Sequence, residues 1–178
     1  MPIEEIEIEN LNGIIRGTLT LPEKRPTGAL LCLHGGPGGD MHGNTEGFDQ
    51  IANMAANIGF ATLQFSFFGN GNSDGTAADY SLASQRIDYE AALDFLGTRL
   101  SCPIHVVGES AGATVAALNW SEKASSFILL WPAFDLYDTD LKPFMNSKAL
   151  KHFENNTVYE SDGVTLGREL VYEILTTD

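Results

Sequence analysis

Cations are scarce in this chain of 178 residues: 10 Lys and Arg stand against 24 Asp and Glu, a formal net charge of −14. So few basic groups leave no electrostatic footprint for nucleic acid or for an anionic membrane, and neither is an expected partner. The acids are scattered along the chain and read as solvated surface rather than as a tail or a cation trap. Long apolar runs are also missing. None approaches the roughly 20 residues of a membrane span, so no membrane span is expected. The start, "MPIEEIEIEN", has acids where a secretory signal has a basic end and an apolar stretch. The expected location is the cytoplasm.

Cysteine is limited to Cys32 and Cys102. Placed on neighbouring parallel strands, the two are offset by roughly 13 Å at about 3.3 Å per residue, too far to bridge. There is no Cys-x-x-Cys and no His/Cys spacing of a metal site, so no metal is expected.

What is present is enough apolar residue, 43%, for one domain with its own core. Ile6 and Ile8 alternate with acids, Asn12-Gly13 makes a turn, and "GIIRGTLTL" follows, which predicts an N-terminal β-hairpin. "GALLCLH" is a continuous apolar run of the kind buried on both faces of a sheet. Phe48, Ile51, Ala52, Ala55 and Ile58 then fit one helical face, with Gly59 as the stop. "FATLQFSF" predicts a strand, and Ile87, Ala91, Phe95, Leu96 and Leu100 predict the apolar face of a second helix. "PIHVVG" predicts a strand, Ala111 to Trp120 a helix, and "SSFILLW" a further strand. From Gly28 onward strands and helices alternate, the signature of a parallel sheet covered by helices. Leu136 to Asp178 is expected to be a helical excursion outside the sheet, with Leu166, Leu170, Val171, Ile174 and Leu175 on one apolar face. The division is therefore a core of residues 1–135 and a segment of residues 136–178.

Two motifs carry chemistry. In Gly108-Glu109-Ser110-Ala111-Gly112 a strand runs straight into a helix, so Ser110 sits on a tight turn. The flanking glycines are needed where a side chain would strike the neighbouring elements. The helix N-terminus beneath Ser110 favours developing negative charge. The second motif is "CLHGGPGGD", whose four glycines around Pro37 free backbone N–H groups to point into a site, as an oxyanion hole requires. A phosphate cradle is the rival explanation for such glycines. No Gly-Lys-Ser/Thr follows, however, and "GNGNSD" at 69–74 lacks the third glycine of a dinucleotide loop, so no cofactor is expected.

In this order the two motifs resemble the α/β-hydrolase superfamily, and "FSFFGNGNSDG" resembles that family's Arg-Gly-x-Gly-x-Ser turn. Within it, the compact esterase and serine-aminopeptidase-like group is most similar. The resemblance covers the first two thirds of the family's length. It implies a mostly parallel sheet with flanking helices, an N-terminal hairpin, and residues 136–178 as a helical cap forming an apolar acyl pocket. It also implies Ser110 as nucleophile and the N–H groups of Gly36 and Ala111 as an oxyanion hole, in an enzyme acting on small carboxylic esters. His-Gly-Gly-Pro-Gly is similar to proline iminopeptidases as well, which keeps a small peptidase or amidase open.

The proton acceptor is the difficulty, because serine alone is a poor nucleophile. In the family the acid and histidine follow two further strands, which the chain as given lacks. His34 opens the oxyanion loop, where a structural role is expected. Together with Gly35 and His42 it is a candidate to line the site. His105 lies within a strand. His152, in the cap, and Asp135, after the sixth strand, are weak candidates for base and acid. The expectation is therefore an incomplete serine hydrolase of little activity, against the alternative of a non-catalytic binding protein of the same fold. The "SSFILLW" strand, left at a sheet edge, should associate through residues 125–131 with another copy unless the following segment covers it.

Overall fold

The computed structural model describes residues 1–134, 147–161 and 164–176. The chain opens with the hairpin β1 (Ile3–Glu9) and β2 (Ile14–Thr20), closed by a turn in which the Asn10 N–H donates to the Gly13 carbonyl. Then come β3 (Gly28–Leu33), α1 (Gly47–Asn57), β4 (Phe60–Phe65), α2 (Leu82–Arg99), β5 (Ile104–Glu109), α3 (Ala111–Leu118) and β6 (Ser126–Leu130). The sheet order is β1-β2-β4-β3-β5-β6. β1, β2 and β4 pair antiparallel in turn, and β4, β3, β5 and β6 run parallel.

The alternation of side chains along β3 divides the core between the two faces of the sheet. Leu31 and Leu33 point into the larger cluster, shared with Tyr89, Leu93 and Leu96 of α2 and Val115 of α3. Cys32 points the other way, onto Phe48 of α1 and Val107 of β5. With helices on both faces, each fully buried leucine of β3 contributes about 2–3 kcal/mol through removal from water.

The second helix departs from its expected face. Ile87, Ala91 and Phe95 are only half-buried, and the deep stripe is Gln85, Asp88, Tyr89, Ala92, Leu93 and Leu96. Of the polar residues there, Gln85 donates to the Ser81 carbonyl at the helix cap at 3.2 Å. Asp88 can lie there because distant parts of the chain supply its partners. Asp88 accepts hydrogen bonds from the Phe68 N–H (2.7 Å) and from the side-chain amides of Asn10 (2.9 Å) and Asn12 (3.1 Å). Burial raises its pKa, and the three donors oppose that rise. The start of α2 is also well satisfied. Ser81 and Ser84 form a reciprocal capping box. The Glu173 carboxylate accepts from the N–H groups of Leu82 (2.6 Å) and Ala83 (3.1 Å).

Residues beyond 146 do lie outside the main sheet, but they are not wholly helical. Between α4 (Ser147–Phe153) and α5 (Arg168–Thr176) the strands β7 (Val158–Ser161) and β8 (Val164–Gly167) form an antiparallel hairpin. Asp162-Gly163 between two β-prone runs is a hairpin signal. Leu166, assigned to a helical face, is a strand residue, and Leu175 is 39% exposed. The segment is no loose excursion, because Phe153, Leu166, Leu170, Val171 and Ile174 are buried in the main cluster. Among the described residues no helix is long and apolar enough to cross a membrane. Both cysteines are free.

Candidate active site

Ser110 stands between the last residue of β5 and the first of α3 with φ 49° and ψ −119°, a left-handed backbone that a non-glycine residue adopts only under constraint. The constraint is visible on both sides. Its N–H donates to the Leu130 carbonyl at 3.0 Å, and its own carbonyl accepts from the Thr114 N–H and hydroxyl. A Cβ on Gly112 would overlap the carbonyl oxygens of Leu33 and His34, and one on Gly108 would lie 2.7 Å from the Ala113 Cα. Only glycine lets α3 approach β3 and β5 this closely.

The serine side chain makes no capping bond to α3, and its hydroxyl has no hydrogen-bond partner among the described residues. It borders a cavity of about 500 Å³ lined by Gly35, Gly36, Pro37, Gly38, Gly39, Asp40, Gly43, Asn44, Thr45, Glu109, Ser110 and Trp131. The glycine loop faces the serine closely, since a Cβ on Gly35 would sit 3.2 Å from the Ser110 Cβ.

Most N–H groups of that loop are engaged. Gly35 and Asn44 donate to the Glu109 Oε1 at 3.4 and 2.8 Å, Gly38 donates to the Asn70 side chain at 2.9 Å, and Gly43 donates to the Asp40 carbonyl. Gly36, which lines the cavity, has no partner for its N–H among the described residues, and neither has Ala111 at the first position of α3. Gly36 must also be glycine, because a Cβ there would overlap the buried Tyr80 hydroxyl. That hydroxyl has no partner among the described residues.

None of the four histidines lines the cavity. His34 is 1% exposed and fully committed. Its Nε2 accepts from the Phe67 N–H at 3.0 Å, so Nδ1 carries the proton and donates to the Gly35 carbonyl at 2.5 Å. Burial lowers its pKa from 6.5 to about 4. The ring therefore holds the loop and does not enter the site. His42 pairs through Nδ1 with the Asp49 carboxylate at 2.8 Å. Asp49 in turn accepts from the Gln64 amide at 2.8 Å. His105 Nδ1 meets the Ser126 hydroxyl at 2.8 Å on the sheet face. His152, exposed on α4, donates from Nε2 to the Val158 carbonyl at 2.9 Å. Asp135 lies outside the described residues.

The expected apolar acyl pocket involves residues 136–178, of which 136–146 lie outside the described residues. No described residue after Trp131 lines the cavity, and of the described lining only Pro37 and Trp131 carry apolar side chains. The described C-terminal elements are used elsewhere. Gly167 packs against the Ala77 and Ala78 carbonyls and Glu173 against the start of α2. The cavity lining also includes Asp40, Asn44, Thr45 and Trp131, which carried no signal in the sequence beyond the nearness of the first three to the glycine loop.

No protein-family model matches the chain, and neither does any curated protein. Solved structures do match. A protein of Agrobacterium vitis S4 classed as a hydrolase superposes with a TM-score of 0.80 at 20% identity, over 98% of this chain and 72% of its own. The α/β hydrolase GrgF of Penicillium sp. sh18 gives 0.72 at 19% identity, over 98% and 65%. Est1E of Butyrivibrio proteoclasticus, solved with ferulic acid bound, gives 0.70 at 20% identity, over 96% and 70%. The architecture is the α/β-hydrolase fold, with the antiparallel strand pair at its start and the mostly parallel sheet between helices. The chain spans 65–72% of the length of these three structures.

Proposed function

We propose that the protein is a serine hydrolase of small carboxylic esters, with Ser110 as nucleophile. One observation carries this: Ser110 is held in a strained left-handed turn at the start of a helix, its hydroxyl without a partner among the described residues, on a cavity whose opposite wall is a glycine loop. Such strain persists only where the surroundings impose it, and it serves to present a side chain. In the proposed reaction the Ser110 Oγ attacks the ester carbonyl and gives up its proton to a base. The carbonyl oxygen takes the negative charge, and the alcohol leaves with a proton. Water then releases the acid from the acyl-serine. The unpartnered N–H groups of Gly36 and Ala111 are the donors we assign to the oxyanion.

No described histidine lines the cavity, and the base is assigned to none of them. That observation favours a second reading, a binding protein of the same fold without turnover. A fluorophosphonate probe separates the two. The hydrolase reading expects one adduct, located at Ser110 by mass spectrometry and absent from Ser110→Ala. No adduct, or one on another serine, would overturn it. A small peptidase or amidase substrate is tested in the same protein with aminoacyl anilides. We further propose a cytoplasmic protein, in keeping with two free thiols and no disulfide, and association through the edge of β6.

A further inference from the structure

The two oxygens of Glu109 do different things. Oε1 accepts from the N–H groups of Gly35 and Asn44, joining both ends of the glycine loop to the residue beside Ser110. Oε2 accepts no hydrogen bond among the described residues, yet it is not among the buried polar atoms left unsatisfied and sealed from solvent. A carboxylate oxygen with no donor among the described residues, on a residue 8% exposed that lines the cavity, has the cavity as its opening. A carboxylate is an acceptor only, and leaving one unpaired when a substrate displaces water is unfavourable.

We infer that Glu109 Oε2 selects the acyl group: the site takes esters whose acyl chain carries a hydrogen-bond donor, a hydroxyl or an ammonium, close to the scissile carbonyl. The rest of the wall agrees. Asp40, Asn44 and Thr45 are polar, and among the described residues no basic side chain lines the cavity to welcome an anion. A plain alkyl chain would desolvate Oε2 without pairing it, and an acyl group ending in a carboxylate would meet two carboxylates. Selection by a buried acceptor is strong because the wrong ligand leaves that acceptor unpaired. This inference deepens the hydrolase reading and rests on the same cavity.

Equilibrium binding tests it without chemistry. The full chain carrying Ser110→Ala is titrated, with backbone amide resonances observed, against methyl 3-hydroxybutyrate, methyl 3-aminobutyrate, methyl butyrate and monomethyl succinate. At least one of the hydroxy and amino esters should bind about tenfold more tightly than the butyrate, and which of them does identifies the donor. The succinate should bind most weakly, and the Gly35 and Asn44 amides should respond. In Glu109→Gln the side-chain oxygen must stay on the two loop N–H groups, so its NH2 replaces Oε2 in the cavity. The preference should then fall below about twofold while the fold is retained. Equal binding of the four esters, no binding, or a preference that survives Glu109→Gln would overturn the inference. Should that variant fail to fold, the four-ester comparison and the amide responses decide alone. A preference with a Ser110 that takes no fluorophosphonate would sink the hydrolase reading and keep this one; a labelled Ser110 with no preference does the reverse.

Discussion

Gly112, in the first turn of α3, packs directly against the carbonyl oxygen of Leu33 at the end of β3. The contact is backbone to backbone, so neither side can turn away. Gly112→Ala should cost about 3 kcal/mol, as overpacking does in a well-filled interior, and should slow fluorophosphonate capture by Ser110. Urea unfolding and adduct formation over time measure the two effects. A variant as stable and as reactive as the parent would show that α3 can shift, and that the strain at Ser110 is not imposed by this packing.

Stability should depend on pH through His34. Its folded pKa, about 4, lies below its ordinary 6.5, so between these values the unfolded chain binds a proton that the folded chain refuses. The contribution of His34 is complete above 6.5 and is lost as pH falls from 6.5 to 4, amounting to about 3 kcal/mol. Asp88, whose pKa burial raises, acts in the opposite sense, losing stability as pH rises above the usual aspartate range. Denaturant unfolding at a series of pH values should show the first slope in the parent and a flatter one in His34→Gln. An unchanged slope in the variant would assign the effect elsewhere.

Asp88→Ala should be among the more damaging surface-to-core changes in α2. It removes the acceptor for one backbone N–H and two asparagine amides at once, tying the first hairpin to the loop after β4. A loss of about 2–3 kcal/mol is expected. Faster hydrogen exchange at the Phe68 amide is the specific sign; a global loss without it would point to packing instead.

Glu173→Gln keeps an acceptor for the start of α2 but removes its charge, whereas Glu173→Ala removes both. Losses of about 0.5 and 1–2 kcal/mol follow, read from thermal unfolding. Equal effects of the two variants would mean that charge, not the hydrogen bonds, matters there.

β6 has no described partner on its outer edge, its strand carries no charge, and Ile128 and Trp131 are 51% and 64% exposed. Sedimentation should show concentration-dependent association that Ile128→Lys weakens. A parent that stays monomeric at every attainable concentration would exclude the edge as an interface.

The parts legible in the sequence are those set by local period and by glycine. The first hairpin, the two-sided β3 and the Ser110 turn each follow from a few adjacent residues. The buried stripe of α2 was not legible, because Asp88 is made acceptable by Asn10 and Asn12, more than 70 residues away. Trp131 reaches the cavity only because β6 pairs with β5 and delivers it beside Glu109. The hairpin of β7 and β8 was hidden under a helical expectation fitted to Leu166, which the strand buries equally well.

Five of the twelve described residues around the cavity are glycine, and the loop facing Ser110 offers main-chain atoms where other sites offer side chains. Such a chamber is defined by the course of the main chain. Chains that agree at about one position in five still superpose along almost the whole of this one. Among the described residues, side-chain chemistry in the chamber is confined to Pro37, Asp40, Asn44, Thr45, Glu109, Ser110 and Trp131, and a ligand would meet main chain everywhere else.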